Sequence, residues 1–206
     1  KENHYIGNVA VKTKSYEQGY EVIHLGYGID ESVQAPTILG KHEVPVILLG
    51  KVADIVANQH GTSISCVDTT EVMDLTIQTI KKNQHGFICT NVQETDLAGH
   101  SMKTEWYLSL LKIVDAKLET IINLLNEGDI LCVIADHGND PNFKGSDHTR
   151  EKVFLITYHK NIKPSKNIEE EKSFAVIGAS IIDNFNVKKK KHQIGESLLN
   201  KIKEVK

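Results

Sequence analysis

Three histidines and two aspartates stand where a folded chain could gather them around a cation. Asp136 and His137 follow directly on an apolar run, residues 129–135, and His148 lies further along the same connection. The two segments read Ala135-Asp136-His137-Gly138-Asn139-Asp140-Pro141 and Gly145-Ser146-Asp147-His148-Thr149-Arg150-Glu151. The run reads as a buried strand, and the Gly-, Asn-, Asp- and Pro-rich text after it as a loop. A second connection of this kind, Gln93-Glu94-Thr95-Asp96-Leu97-Ala98-Gly99-His100, follows the apolar run 86–92. Asp96, His100 and His148 could close one site, while Asp136 and His137 could supply half of another. Mixed carboxylate and imidazole donors suit manganese, zinc or iron and suit calcium poorly. Two such ions side by side commonly serve phosphoryl transfer, because they clamp the attacking and the leaving oxygen together. Each piece alone has a plainer explanation: Asp96 as a helix-entry cap, His100 as a surface residue, His148 as a satisfied loop histidine. Their common location is what favours a metal. The remaining histidines, His4, His24, His42, His60, His85, His159 and His192, have no such company.

The elements that must position these residues alternate in type. Apolar runs at 44–50, 63–67, 86–92, 129–135 and 152–158 predict strands. Helical spacing is found at 51–58, at 69–82 with a threonine cap, at 102–126, at 173–185 and at 195–203. In the longest of these, Leu110, Leu111, Val114, Leu118, Ile121, Ile122 and Leu125 share one broad face. Strands that are apolar throughout, alternating with amphipathic helices, predict an α/β fold with a mostly parallel sheet covered by helices on both faces. In such sheets ligands gather beyond the carboxyl ends of the strands, which is where both suspect connections leave.

With 206 residues, 40% of them hydrophobic and 25% charged, and a net charge of -3, the chain has the makings of one globular domain. That balance calls for neither nucleic acid nor a membrane. The run of lysines at 188–191 reads as a solvated turn. Cys66, Cys89 and Cys132 are odd in number and set in apolar runs, so reduced, buried thiols and a cytosolic setting are expected. No signal peptide is visible, and no run approaches the roughly 18 apolar residues of a membrane span. Residues 1 to about 35 are polar, with two weakly alternating stretches that could form a hairpin. The chain opens on Lys1, which suggests a removed segment or a part of a longer protein.

The segments around His137 and His148 closely resemble the corresponding ones of the phosphopentomutase family, in the alkaline-phosphatase superfamily. The likeness continues upstream through Ala35-Pro36-Thr37-Ile38-Leu39, Val44-Pro45-Val46-Ile47-Leu48-Leu49-Gly50-Lys51-Val52-Ala53-Asp54-Ile55 and Phe87-Ile88-Cys89-Thr90-Asn91. It therefore covers most of the chain from Ala35 onward. The resemblance implies an alkaline-phosphatase-like core over residues 35–206, with residues 1–34 as the end of a cap domain. It also implies a cytoplasmic two-metal centre, usually manganese with zinc as the other candidate. Asp96, His100 and His148 would hold one ion, and Asp136 and His137 the other. The implied activity is that of an isomerase: a phosphoryl group moves between the 1- and 5-positions of ribose or deoxyribose through a phosphothreonine. The partner is then a small phosphorylated sugar. Lys51 matches a lysine of the family motif and could face the substrate phosphate, or simply start a helix.

Two departures keep other readings open. The half of the family that carries a further metal-binding aspartate and the threonine nucleophile has no counterpart here, so this chain is expected to need that half for activity. Family members also carry several arginines before the Ala-Pro-Thr segment, whereas Lys12 and Lys14 stand in this chain and no arginine precedes Arg150. Arginine grips phosphate with a planar fork and lysine does not. The four-residue offset between Asp96 and His100 is more like that of cofactor-independent phosphoglycerate mutase. A related mutase or phosphatase acting on another phosphate ester, or a non-catalytic metal-binding domain, are the alternatives. The sequence specifies no oligomeric state.

Overall fold

The computed structural model describes residues 29–162 and 170–203. Most of the expected cap remnant, including the possible hairpin, His4, His24, Lys12 and Lys14, lies outside the described residues. The described part begins with a short turn at Glu31–Val33, capped by the Asp30 carboxylate.

Helix α1 (Ala35–Lys41) leads into strand β1 (Val46–Gly50), then come α2 (Val52–Ile55), β2 (Thr62–Ile64), α3 (Thr69–Lys82) and β3 (Phe87–Asn91). After these follow α4 (Glu94–His100), α5 (Thr104–Leu124), β4 (Leu131–Ile134), β5 (Leu155–Tyr158), α6 (Ala175–Asn184) and α7 (Leu199–Lys203). The first three strands form a parallel sheet in the order β2-β1-β3, with Gly50 opposite Asn91 at its carboxyl edge.

β1 is buried along its whole length, and its alternation sorts two cores. Ile47 and Leu49 face one side, where they meet Val72, Met73 and Ile77 of α3 and Ile121 of α5. Val46 and Leu48 face the other, against Leu39 of α1, with Ile181 of α6 and Phe185 packed alongside. Helices thus cover both faces, and the fold is α/β as the apolar runs predict.

Several expectations shift in detail. The cap of α3 is Asp68, whose carboxylate accepts from the Glu71 amide at 2.8 Å, and Thr69 is the first helical residue. Leu111 is 43% exposed rather than part of the buried face of α5. Helical structure after β1 stops at Ile55, because Val56 is already extended. Of the three cysteines expected to be buried, Cys132 is exposed and Cys66 and Cys89 are only partly buried.

The larger departure concerns β4 and β5. They pair antiparallel in a ladder of two, with Leu131 opposite Tyr158 and Ile134 opposite Leu155. A parallel return needs a crossover, usually a helix packed back on the sheet. The connection between these strands is instead spent on the loop that carries His137 and His148, so the chain comes back alongside β4. The ladder is tied to the rest through Leu131 and Tyr158, packed on the core of β1, α3 and α5, and through Leu155, packed on α6 and α7.

Gly50 closes β1 at φ +80°, and a Cβ there would collide with the Asn91 carbonyl of the neighbouring strand. Gly50→Ala should therefore cost about 2–4 kcal/mol from left-handed strain plus the clash. A lower urea midpoint would show this; an unchanged one would contradict it.

Burial pushes the Cys89 thiol up to about 11, whereas the unfolded chain would titrate it near 9.0. Its contribution to stability is intact below about pH 9 and is lost as the pH rises towards 11. At pH 8 a disulfide reagent should label exposed Cys132 well before Cys89 in the native chain. The reverse order would contradict this placement.

Candidate metal centre

β3 ends at Asn91, and α4 starts almost at once, beyond the carboxyl edge of the sheet. The Thr95 hydroxyl donates to the Val92 carbonyl at 3.0 Å, and Glu94 accepts from the Thr69 amide at 2.7 Å, anchoring the helix start to α3. The segment expected as a loop is thus helical. Glu94 and Asp96 in its first turn are favourably placed against the helix dipole. The four-residue offset between Asp96 and His100 then has a direct meaning, because it sets both on one face, a single turn apart.

The second element is the loop after β4. Gly138 and Thr149 form an isolated antiparallel bridge, in which the Thr149 amide donates to the Gly138 carbonyl at 3.0 Å. Thr149 is buried, and its hydroxyl accepts from the Asp140 amide at 2.8 Å. This pinch folds the loop so that the ring of His148 stacks on that of His137, with centroids 3.6 Å apart and planes at 22°. Thr149→Val keeps the shape and orphans the Asp140 amide. It should cost about 1–2 kcal/mol and loosen the loop. A urea midpoint within error of the parent would contradict that role.

Between α4 and the pinched loop three ligand atoms converge. His100 Nε2 lies 3.3 Å from Asp96 Oδ1, His148 Nε2 lies 3.4 Å from the same oxygen, and the two nitrogens are 3.2 Å apart. A four-coordinate ion with bonds of about 2.0–2.1 Å spaces its ligand atoms by about 3.3 Å, so the separations fit such an ion closely. The donor chemistry fits as well. His100 Nδ1 faces the Ser146 carbonyl at 2.6 Å, and a carbonyl can only accept, so that nitrogen carries the proton. In the neutral ring the Nε2 lone pair then points at a carboxylate oxygen and another imidazole nitrogen. Three potential ligand atoms held this close are the arrangement that a cation would stabilise. Backbone carbonyls that orient histidines in this way are typical of metal sites.

Asp96 and His100 are about a third exposed at 33% and 34%, and His148 is 47% exposed, so the cluster is open to solvent. Among the described residues, Asp96, His100 and His148 are the group of three that closes. Asp136 and His137 stand beside it as a pair, with Asp136 Oδ2 3.6 Å from His137 Nε2. The structure brings His137 against the cluster through its stack on His148 and leaves the Asp136 side chain 74% exposed. Lys51 follows β1 directly and is half-buried at the same sheet edge as α4, outside the group of three. A hollow of about 410 Å³ lined by Val44, His60 and Asn83 opens at the other end of β1 and takes no part.

Two neighbours of the cluster were not legible as such. Asn139 donates from Nδ2 to Asp96 Oδ1 at 2.7 Å and to the Asp96 carbonyl at 3.1 Å. Tyr107, in the first turns of α5, has its hydroxyl pushed up by burial and by the carboxylates of Asp140 and Asp96. Its place just after α4 is the signal that could have pointed to the site.

The family model described as the metalloenzyme superfamily matches residues 6–189. The chain belongs to the metalloenzyme superfamily. A phosphopentomutase of Clostridium perfringens is 37% identical over 159 residues, which are 76% of this chain and 40% of that protein. A phosphopentomutase of Alkaliphilus oremlandii is 36% identical over 179 residues, 85% of this chain and 45% of the relative. The chain thus spans less than half the length of these curated relatives. Among solved structures, Leishmania mexicana phosphoglycerate mutase, crystallised at low cobalt concentration, superposes with a TM-score of 0.63 at 14% identity. The match covers 79% of this chain and 38% of that one, and the likeness is one of fold. Among the described residues no helix is long and apolar enough to cross a membrane.

Proposed function

We propose that this metalloenzyme-superfamily chain carries the metal centre of a phosphomutase that interconverts (deoxy)ribose 1-phosphate and (deoxy)ribose 5-phosphate. The observation that carries the reading is the triangle of Asp96 Oδ1, His100 Nε2 and His148 Nε2 beyond the carboxyl edge of the sheet. Similarity to phosphopentomutases over three quarters of the chain supports a phosphorylated sugar as the substrate. A divalent ion held there, with manganese preferred and zinc the other candidate, supplies positive charge against the anionic phosphate. The residues do the rest. His100, locked by Ser146, presents one nitrogen only; Asp96 adds the negative charge that makes the site select a cation; His148 closes it from the loop. Asp136 and His137, next to that loop, are assigned to a second ion. Lys51, at the same edge, is assigned to the substrate phosphate as a point charge.

The test is conversion of ribose 1-phosphate to ribose 5-phosphate with manganese present, in a preparation containing every segment that the relatives possess. Formation of ribose 5-phosphate that stops on chelation supports the proposal; none under manganese-replete conditions refutes it. A second reading rests on a specific feature, the absence of any arginine before Arg150. Lysine cannot grip a phosphate bidentately, so another phosphate ester could be the substrate of a related mutase or phosphatase. Steady release of inorganic phosphate without isomerisation would favour the phosphatase.

A further inference from the structure

We propose that Asn139 is a positioning residue that aims Asp96 at the metal, and that Gly99 is small in order to admit it. The inference rests on the metal reading of Asp96, His100 and His148. Both atoms that the Asn139 amide touches, Asp96 Oδ1 and the Asp96 carbonyl oxygen, can only accept, so the amide must turn its NH2 group towards them. Asp96 Oδ1 is also the oxygen nearest the two imidazole nitrogens. A carboxylate oxygen has two lone pairs. With one fixed by Asn139 at 2.7 Å, the other is left directed towards His100 and His148. The second bond, to the backbone of the same residue, fixes the amide against rotation, so the side chain works as a two-point clamp.

Gly99 explains how the clamp reaches its target. It is buried on α4, three residues after Asp96, and a Cβ there would run into the Asn139 amide, with Nδ2 at 2.7 Å and the other amide atoms closer still. The amide therefore lies flat on the helix where a glycine leaves a gap. Asn139 also sits two residues after His137, so the same contact ties α4, which carries Asp96 and His100, to the loop that carries His137 and His148. Partners of this kind commonly change metal affinity by about 10–100-fold when removed.

The test is calorimetric titration of manganese into the chain and its variants, with circular dichroism of each metal-free variant to confirm the fold. Asn139→Ala is expected to weaken manganese binding by about 10–100-fold. Asn139→Asp keeps the size but turns the donor into an acceptor against Asp96 Oδ1, and it should weaken binding at least as much. Gly99→Ala should reproduce the loss by displacing the amide, although alanine favours the helix itself. The double variant Gly99→Ala, Asn139→Ala should bind no worse than Asn139→Ala alone, since both break one contact. Affinity within twofold of the parent in Asn139→Ala, or losses that multiply in the double variant, overturns the positioning role. A parent chain that binds no manganese overturns the metal reading along with it.

Discussion

Asp96→Ala is expected to lower the manganese affinity of the chain by at least about a hundredfold, more than any change to a residue that only supports a ligand. Oδ1 of this residue is the one anionic atom of the triangle, and both imidazole nitrogens lie within 3.4 Å of it. Without it two neutral nitrogens remain, and the clamp of Asn139 loses its acceptor. The metal-free protein should lose much less. The variant gives up the Asn139 bond and the favourable place of Asp96 at the start of α4, so the unfolding midpoint without metal should fall only modestly, for a loss of about 1 kcal/mol. Isothermal titration beside a urea melt separates the two effects. Parent-like affinity in a folded Asp96→Ala variant would remove this residue from the site.

The second large effect belongs to Asp136→Asn. Its side chain is 74% exposed and lies 3.6 Å from His137 Nε2. As an ordinary surface residue it would tolerate the change within about 0.5 kcal/mol of stability and with no effect on binding. As a ligand of a second ion it would lose its charge and with it that ion, while Asp96, His100 and His148 kept theirs. In a preparation with phosphomutase activity the rate should fall by at least about a hundredfold, as expected when charge aimed at the reacting group is lost. Elemental analysis after dialysis should show a loss of one ion per chain. Unchanged metal content and rate would return Asp136 to the surface.

Much of the site could be seen in the text of the chain because its parts are local. An apolar run followed by Asp136-His137, a second followed by Asp96 and His100, and a four-residue offset are all properties of short segments. What the offset signified was harder to see. The stretch after β3 read as a loop because it leaves a strand end, whereas Glu94 and Asp96 in the first turn and the anchor from Glu94 to the Thr69 amide make it a helix. The parallel sheet was legible in β1, whose five buried residues feed both cores. The antiparallel return of β5 was not, because an apolar strand looks the same in either direction and only the length spent on the loop decides. Asn139 was hidden for another reason. Its partner is 43 positions away, and nothing local distinguishes an amide that clamps a carboxylate from one that faces water.

The central claim is that Asp96, His100 and His148 hold a divalent ion. Its most direct test is an anomalous difference map from crystals of the protein grown with manganese and measured at two energies across the manganese edge. A peak that disappears below the edge, within about 2.2 Å of Asp96 Oδ1, His100 Nε2 and His148 Nε2, is the expected result. A map with manganese bound elsewhere, and nothing between these three atoms, would contradict it.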